Sequence, residues 1–206
     1  MVHRIGLALW FRCWRLSALG LGVLLALPPV TAYADGIVSE VSVGVLDHDV
    51  RALGGKEHGI DMNGEIQFVS PVGLQMVAGL PVWLRWLFRL YPTLGFDINS
   101  SGNTNQYYAG GTWTAELLTD VLQSDDGVFV SLGGGGAVNN GHVGPTTEID
   151  RKKLSSNVLF HLTGELGYRF SRRGSLAFFY EHSSNAGLAH YNESLNDAGL
   201  RFAWRF

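Results

Sequence analysis

The chain has 206 residues, a formal net charge of −3 at pH 7 and a single cysteine, Cys13. This composition excludes an internal disulfide scaffold, and it offers no basic surface, so we expect no nucleic-acid partner. No charge run, linker or low-complexity tract divides the sequence, which is long enough for one domain.

Residues 1–34 have the composition of a secretory signal peptide. They contain three arginines and no acidic residue, then an apolar run, and they end on Ala32-Tyr33-Ala34. A basic leader, a short apolar core and a small-x-small site predict cleavage after Ala34. Cleavage takes the net charge to −6 and removes Cys13, which excludes a thiol nucleophile. It leaves one domain, residues 35–206.

Alternating apolar and polar residues predict eight β-strands in this domain. The alternating runs are at 40–47, 60–68, 88–98, 107–117, 128–139, 158–170, 175–184 and 197–206. Pro92 interrupts the third run, so we expect a bulge or a late strand start there. The glycines at 133–136 lack the Lys-Ser or Lys-Thr pair of a phosphate-binding loop, and they indicate close strand packing.

Eight such strands fit either a soluble ligand-binding barrel or an outer-membrane barrel, which turn their apolar faces in opposite directions. The polar faces favour the second, because charged residues of both signs recur at matching depths and would pair inside a narrow barrel. These are Glu40, Asp61, Glu65, Arg89, Asp97, Glu116, His161, Glu165, Arg169, Glu181, Arg201 and Arg205. We expect Glu181 to pair with Arg201 or Arg205.

The last strand alternates up to the terminal Phe206, an ending that resembles outer-membrane barrel proteins. We therefore predict an all-β fold, an eight-stranded antiparallel transmembrane β-barrel in the outer membrane of a Gram-negative bacterium. With both termini periplasmic, the segments near 48–58, 99–104, 140–155 and 185–196 are external loops. Four histidines in these loops are expected to be solvated, without a bound metal: His48, His58, His142 and His190.

One periplasmic connection, at 71–87, is unexpectedly long. The stretch Pro81–Leu90 combines tryptophans, leucines and arginines, and we expect a short interfacial helix within it. Four tryptophans are expected to lie in the aromatic girdles at the two membrane interfaces: Trp83, Trp86, Trp113 and Trp204.

The end of the seventh strand carries residues whose side chains could take part in a reaction. His182 and Ser184 are two positions apart, so they share one face of the strand, and a base beside a hydroxyl is the minimal unit of an activated nucleophile. Both continue the even, lipid-facing series of that strand, where polar residues are costly. Asn185 and Gly187 follow with a side-chain amide and an unhindered backbone N–H, donors suited to an oxyanion.

These residues carry a family resemblance. The run His182-Ser183-Ser184-Asn185-Ala186-Gly187-Leu188, the signal peptide, the eight strands and the aromatic C-terminus look like the lipid A 3-O-deacylase family, known as PagL. The layout covers the mature chain, and the specific motif lies in the last 25 residues. The resemblance implies hydrolysis, without metal or other cofactor, of the ester-linked acyl chain at the 3-position of lipid A in lipopolysaccharide.

The resemblance also implies the residue roles. Ser184 is then the nucleophile and His182 its general base, with Asn185 and Gly187 as oxyanion donors. The best-known member of the family has a glutamate 14 residues after the histidine, where this chain has Asn196. We expect Asn196 to orient His182, with two acidic neighbours as the alternatives if the register slips: Glu193 and Asp197.

Two other functions stay open on the sequence. The same Ser-His pair would serve an outer-membrane phospholipase or esterase of broader specificity. Alternatively, the barrel is non-enzymatic, with a structural or surface-binding role. A homodimer in the membrane also stays open, and we expect outer-membrane lipids as partners in every case.

Overall fold

The computed structural model describes residues 36–73 and 75–206, so the predicted cleavage site lies outside the described residues. The described chain forms a closed antiparallel barrel in which each strand pairs with the next and β8 pairs with β1. This confirms the predicted fold class. The strands are β1 (Val38–Asp47), β2 (Ile60–Phe68), β3 (Tyr91–Asn99), β4 (Gln106–Thr119), β5 (Gly127–Asn139), β6 (Val158–Arg169), β7 (Gly174–Ser184) and β8 (Leu195–Arg205).

The apolar faces of the strands point outward. Four apolar side chains in the strands are each more than half exposed: Leu162 and Leu166 on β6, Phe178 on β7 and Leu200 on β8. A continuous apolar belt of this kind is costly in water and is the normal lipid-facing surface of an outer-membrane barrel.

The interior is polar and is centred on Arg201. Its guanidinium donates to Glu65 on β2 at 3.0 Å, its Nε lies 2.8 Å from Glu165 Oε1 on β6, and the group lies over the Phe179 ring. Arg201 is 4% exposed. Buried charges need such compensation, and this group links three strands across the lumen.

One expectation about interior charges is wrong. Glu181 pairs with neither arginine, because Arg201 is already shared by two carboxylates and Arg205 binds Glu40 on β1. The Glu181 carboxylate instead lies 3.8 Å from His161 Nε2. Arg89 precedes β3, and its guanidinium lies over the Tyr91 ring.

His48 is also not solvated. Its Nδ1 lies 2.7 Å from Asp61 Oδ2, its Nε2 lies 3.1 Å from Glu57 Oε2, and the residue is 2% exposed. Burial disfavours the imidazolium, but the hydrogen bonds to Asp61 and Glu57 outweigh it and raise the pKa of His48 to about 10. The other loop histidines, at 58, 142 and 190, are exposed as expected.

The connections divide between the two ends of the barrel. The loops at 48–59, 100–105, 140–157 and 185–194 lie at one end, which we call the site end. At the opposite end, the β2–β3 connection contains a short helix, α1 (Val82–Arg85), and a 3-10 turn at Trp86–Phe88. The late strand start at Pro92 is confirmed, since β3 begins at Tyr91.

No helix among the described residues is both long and apolar enough to cross a bilayer.

The glycine run on β5 lets neighbouring strands approach closely. A Cβ atom at Gly135 would collide with the backbone carbonyl of Ala109 on β4, and one at Gly133 would collide with the hydroxyl of Thr163 on β6. This agrees with the packing role expected from the sequence.

Replacing Arg201 by Met is expected to destabilise the barrel by about 3–5 kcal/mol, because Glu65 and Glu165 would stay buried without a counter-ion. Urea unfolding in detergent or vesicles measures the change. Arg172→Ala is the control, since the Arg172 pair with Asp125 is largely exposed and its loss should be nearly silent. Equal stabilities of the two variants would contradict the central role of Arg201.

His48 should make stability depend on pH. A pKa raised from 6.5 to about 10 gives a contribution that is complete below pH 6.5 and is lost as the pH rises through about 10. The free energy of unfolding of the wild type should therefore fall across this window, and the fall should be smaller in His48→Gln. Parallel pH profiles for the two proteins would refute the buried imidazolium.

Candidate active site

The candidate site lies on the outer wall of the barrel, where β7 reaches the site end. Strand alternation places Tyr180, His182 and Ser184 on the outward face of β7, in line with Phe178. On β8, Asn196 lies directly opposite His182 in the strand register. Ser184 is 9% exposed and His182 is half-buried, so the site is partly covered.

A chain of hydrogen bonds joins Ser184, His182 and Asn196. His182 Nε2 lies 3.1 Å from Ser184 Oγ, and His182 Nδ1 lies 2.8 Å from Asn196 Oδ1. Because an amide oxygen only accepts, this assignment puts the proton on Nδ1 and leaves the Nε2 lone pair facing the serine hydroxyl. In this tautomer the imidazole can take the Ser184 proton.

Asn196 is itself held from two sides. The Tyr180 hydroxyl donates to Asn196 Oδ1 at 2.7 Å, and Asn196 Nδ2 donates to Ser194 Oγ at 3.3 Å. Both contacts turn the amide oxygen toward His182. The sequence analysis missed Tyr180, although its position two residues before His182 on the same face was a usable signal.

The two acidic alternatives to Asn196 have other partners. Glu193 binds the ammonium of Lys56 and accepts the Lys153 backbone N–H at 2.8 Å. Asp197 faces the barrel interior, is 0% exposed, and accepts the Asp49 backbone N–H at 2.6 Å. Asp197 faces inward because it is the neighbour of the outward Asn196 on β8, and adjacent residues of a strand point to opposite faces.

The two predicted oxyanion donors are already engaged within their turn. The Asn185 side-chain amide donates to the carbonyls of Leu154 and Tyr191, and the Gly187 N–H donates to Asn185 Oδ1 at 2.9 Å. Ala186 and Gly187 both have positive φ, at 55° and 76°. The structure thus brings Asn185 and Gly187 next to Ser184 in sequence and space, with their donors turned inward to the loops.

A second Ser-His pair lies on the other face of the same strand. Ser183 Oγ is 3.0 Å from His161 Nδ1, with Glu181 beyond the ring, but Ser183 is 1% exposed. It faces the lumen, where no lipid has access. The pair therefore serves as an internal control for the outward one.

Among the described residues, His48, Asp61 and Asp197 bring potential metal-ligand atoms within 4.8 Å of one another. This group faces the interior, and its His48–Asp61 contact is a hydrogen bond. It is separate from the outward site, whose donor set of one imidazole, a hydroxyl and an amide is poor for a metal.

The profile of a known family, described as lipid A 3-O-deacylase (PagL), matches residues 72–205 of the chain. The chain belongs to this family. No curated protein sequence matches it significantly. The crystal structure of the outer membrane enzyme PagL superposes with a TM-score of 0.59 at 19% identity, covering 82% of this chain and 100% of that one.

Two other barrels also resemble the fold. A de novo designed transmembrane β-barrel has a TM-score of 0.46 at 15% identity, covering 82% of this chain and 96% of that one. The N-terminal β-barrel domain of Pseudomonas aeruginosa OprF has a TM-score of 0.44 at 10% identity, covering 82% and 99%. Membership of the PagL family and the barrel shared with PagL make this chain an outer-membrane β-barrel protein.

Replacing Tyr180 by Phe should lower kcat for ester hydrolysis by about 3- to 10-fold, since one hydrogen bond to Asn196 is lost. KM should stay close to the wild-type value, because Tyr180 acts on the orientation of His182 and not on substrate. Asn196→Ala should cost more, because it removes the His182 acceptor itself. Tyr168→Phe, which removes a hydroxyl bound to Asp126, is the matched control. A Tyr180→Phe effect confined to KM would contradict this positioning role.

Proposed function

We propose that this protein is an outer-membrane esterase that hydrolyses the ester-linked acyl chain at the 3-position of lipid A. The observation that carries the proposal is the outward chain from Ser184 through His182 to Asn196, on a lipid-facing wall where polar side chains are costly. The family match supports the same activity.

The proposed first step is attack of Ser184 Oγ on the ester carbonyl carbon. The serine proton passes to His182 Nε2, and the carbonyl oxygen becomes an oxyanion in a tetrahedral intermediate. Asn196 Oδ1 stabilises the imidazolium through the Nδ1–H, less strongly than a carboxylate would. Collapse of the intermediate breaks the ester C–O bond, His182 protonates the departing sugar oxygen, and an acyl-serine remains.

The second step returns the enzyme to its starting state. Neutral His182 takes a proton from water, and the resulting hydroxide attacks the carbonyl carbon of the acyl-serine. Collapse of this second intermediate breaks the bond to Ser184 Oγ and releases the fatty acid, and the His182 imidazolium returns its proton to Oγ. The products are lipid A with a free 3-hydroxyl and a free fatty acid. Every proton transfer in this scheme uses His182 Nε2, so no metal is required by the balance of the reaction.

Oxyanion stabilisation is assigned to the Asn185 amide and the Gly187 N–H. In the structure both are bonded within the loops, so each must exchange an internal partner for the oxyanion when substrate arrives.

The outward position of the site implies sideways access. A lipid in the outer leaflet would present its ester along the barrel wall, and its acyl chain would lie on the neighbouring residues of β6. Phe160 and Leu162 pair with Ser184 and His182 across the strands and are each more than half exposed. They supply an apolar surface beside the reacting groups.

The test is mass spectrometry of lipid A from Gram-negative cells that express the protein. The wild type should remove one 3-position acyl chain, and Ser184→Ala should lower the deacylated fraction by at least about 1,000-fold. Ser183→Ala is the matched control, because its hydroxyl is buried in the lumen, and it should retain activity once folded barrel is confirmed by heat-modifiable gel mobility.

Other outcomes decide against the proposal in distinct ways. Release of fatty acid from glycerophospholipid, with lipid A unchanged, would indicate a phospholipase that uses the same serine. Unchanged lipids of both classes with a folded, inserted protein would indicate a non-enzymatic barrel. Equal loss in Ser184→Ala and Ser183→Ala would indicate a folding effect and remove Ser184 from the chemistry.

A further inference from the structure

The β2–β3 connection, residues 69–90, has a composition unlike that of an aqueous loop. Its 22 positions include two tryptophans, five leucines and two arginines, and no aspartate or glutamate. The connection lies at the end of the barrel opposite the candidate site, so neither the proposed chemistry nor its substrate explains it.

The described side chains of this connection leave a large apolar surface uncovered. Met76 is 75% exposed and Trp83 is 72% exposed, and three residues of the following turn are also substantially exposed: Trp86, Leu87 and Phe88. Isolated apolar side chains at a surface are ordinary, but a continuous group of this size requires a covering partner.

The connection packs against the outer wall of the barrel. The side chain of Leu90 occupies the space above Gly111, an outward position on β4, and a Cβ atom there would collide with it. The turn Trp86–Phe88 also contacts β4. The exposed apolar surface is therefore continuous with the lipid-facing belt.

The polar groups of the connection are arranged for an interface. Arg85 donates through Nε to the Leu80 carbonyl and through Nη2 to the Ala78 carbonyl, which satisfies backbone acceptors and fixes a positive charge within the connection. Arg89 lies over the Tyr91 ring. Tryptophan with arginine, in the absence of acidic residues, is the composition that favours the headgroup region of anionic membranes.

We propose that residues 69–90 form a phospholipid-binding anchor that lies in the inner leaflet of the outer membrane, with Trp83, Leu87 and Phe88 inserted among the acyl chains. Its occupant is a phospholipid surface and not a second copy of the chain, because the surface continues the lipid belt and carries only positive charge. The choice of leaflet rests on the proposed orientation, with Ser184 in the outer leaflet. Binding to phospholipid does not depend on catalysis.

The test is site-directed spin labelling of the full-length protein in a Cys13→Ser background, in vesicles of phosphatidylethanolamine with a minor fraction of phosphatidylglycerol. Labels at Trp83→Cys and Leu87→Cys should be several-fold more accessible to oxygen than to a water-soluble nickel chelate. Leu200→Cys marks the lipid-facing wall, and Ile149→Cys, an exposed apolar residue of a site-end loop, marks water.

Each outcome supports or overturns the anchor. A ratio of oxygen to nickel-chelate accessibility at 83 and 87 that matches the ratio at Leu200 supports the anchor. A ratio that matches the one at Ile149 overturns the anchor. Spin–spin broadening at 83 that increases with the protein-to-lipid ratio would overturn it in favour of a contact between two copies. Failure of lipid A deacylation with lipid-like accessibility at 83 would refute the proposed function and leave the anchor standing.

A pair of variants tests the energetic contribution. The double variant Trp83→Ser/Trp86→Ser should lower the unfolding midpoint in vesicles, whereas Trp83→Phe/Trp86→Phe should stay close to wild type. Both double variants lack the two indole rings, so they differ mainly in the apolar surface that the new side chains retain. Equal midpoints for the serine variant and the wild type would contradict a bound phospholipid surface.

Discussion

The backbone hydrogen bonds between β7 and β8 determine where His182 and Asn196 lie. They set His182 opposite Asn196, and the pleat turns both outward with Ser184. A register shift of one residue would bring Asp197 to the lipid face and turn Asn196 into the lumen, which would place a carboxylate in the apolar belt. The interior opposes such a shift, because Arg201 must stay between Glu65 and Glu165.

The same alternation separates two chemically similar pairs. Ser183 with His161 and Ser184 with His182 have comparable distances, yet one pair is sealed in the lumen and the other meets the membrane. Access of a lipid to such a pair therefore depends on the face of the strand that carries it. The outward pair is held by Tyr180 and Asn196, which are neutral, so neither of these two residues adds a charge to the lipid-facing wall.

The strand pattern predicted the barrel and the outward pair Ser184 and His182, because a period of two reports directly which face a residue occupies. The contact of His182 with Asn196 was expected from the family resemblance, with Glu193 and Asp197 as alternatives. The strand pattern did not predict partners across the lumen. The pairing of Arg201 and the burial of His48 depend on which strands face each other after closure, and alternation carries no information on this. The engagement of Asn185 by Leu154 likewise depends on how the 140–157 loop folds over β7. Such contacts between distant segments are invisible in local sequence.

The central claim is that the outward serine is the activated nucleophile. Its most direct test is peptide mass spectrometry after incubation of the folded protein in detergent with a lipophilic fluorophosphonate, which labels activated serines. We expect a single adduct on Ser184 that is strongly reduced in His182→Ala, where the base is missing. An adduct on Ser183, or labelling of Ser184 that is indifferent to His182, would contradict it.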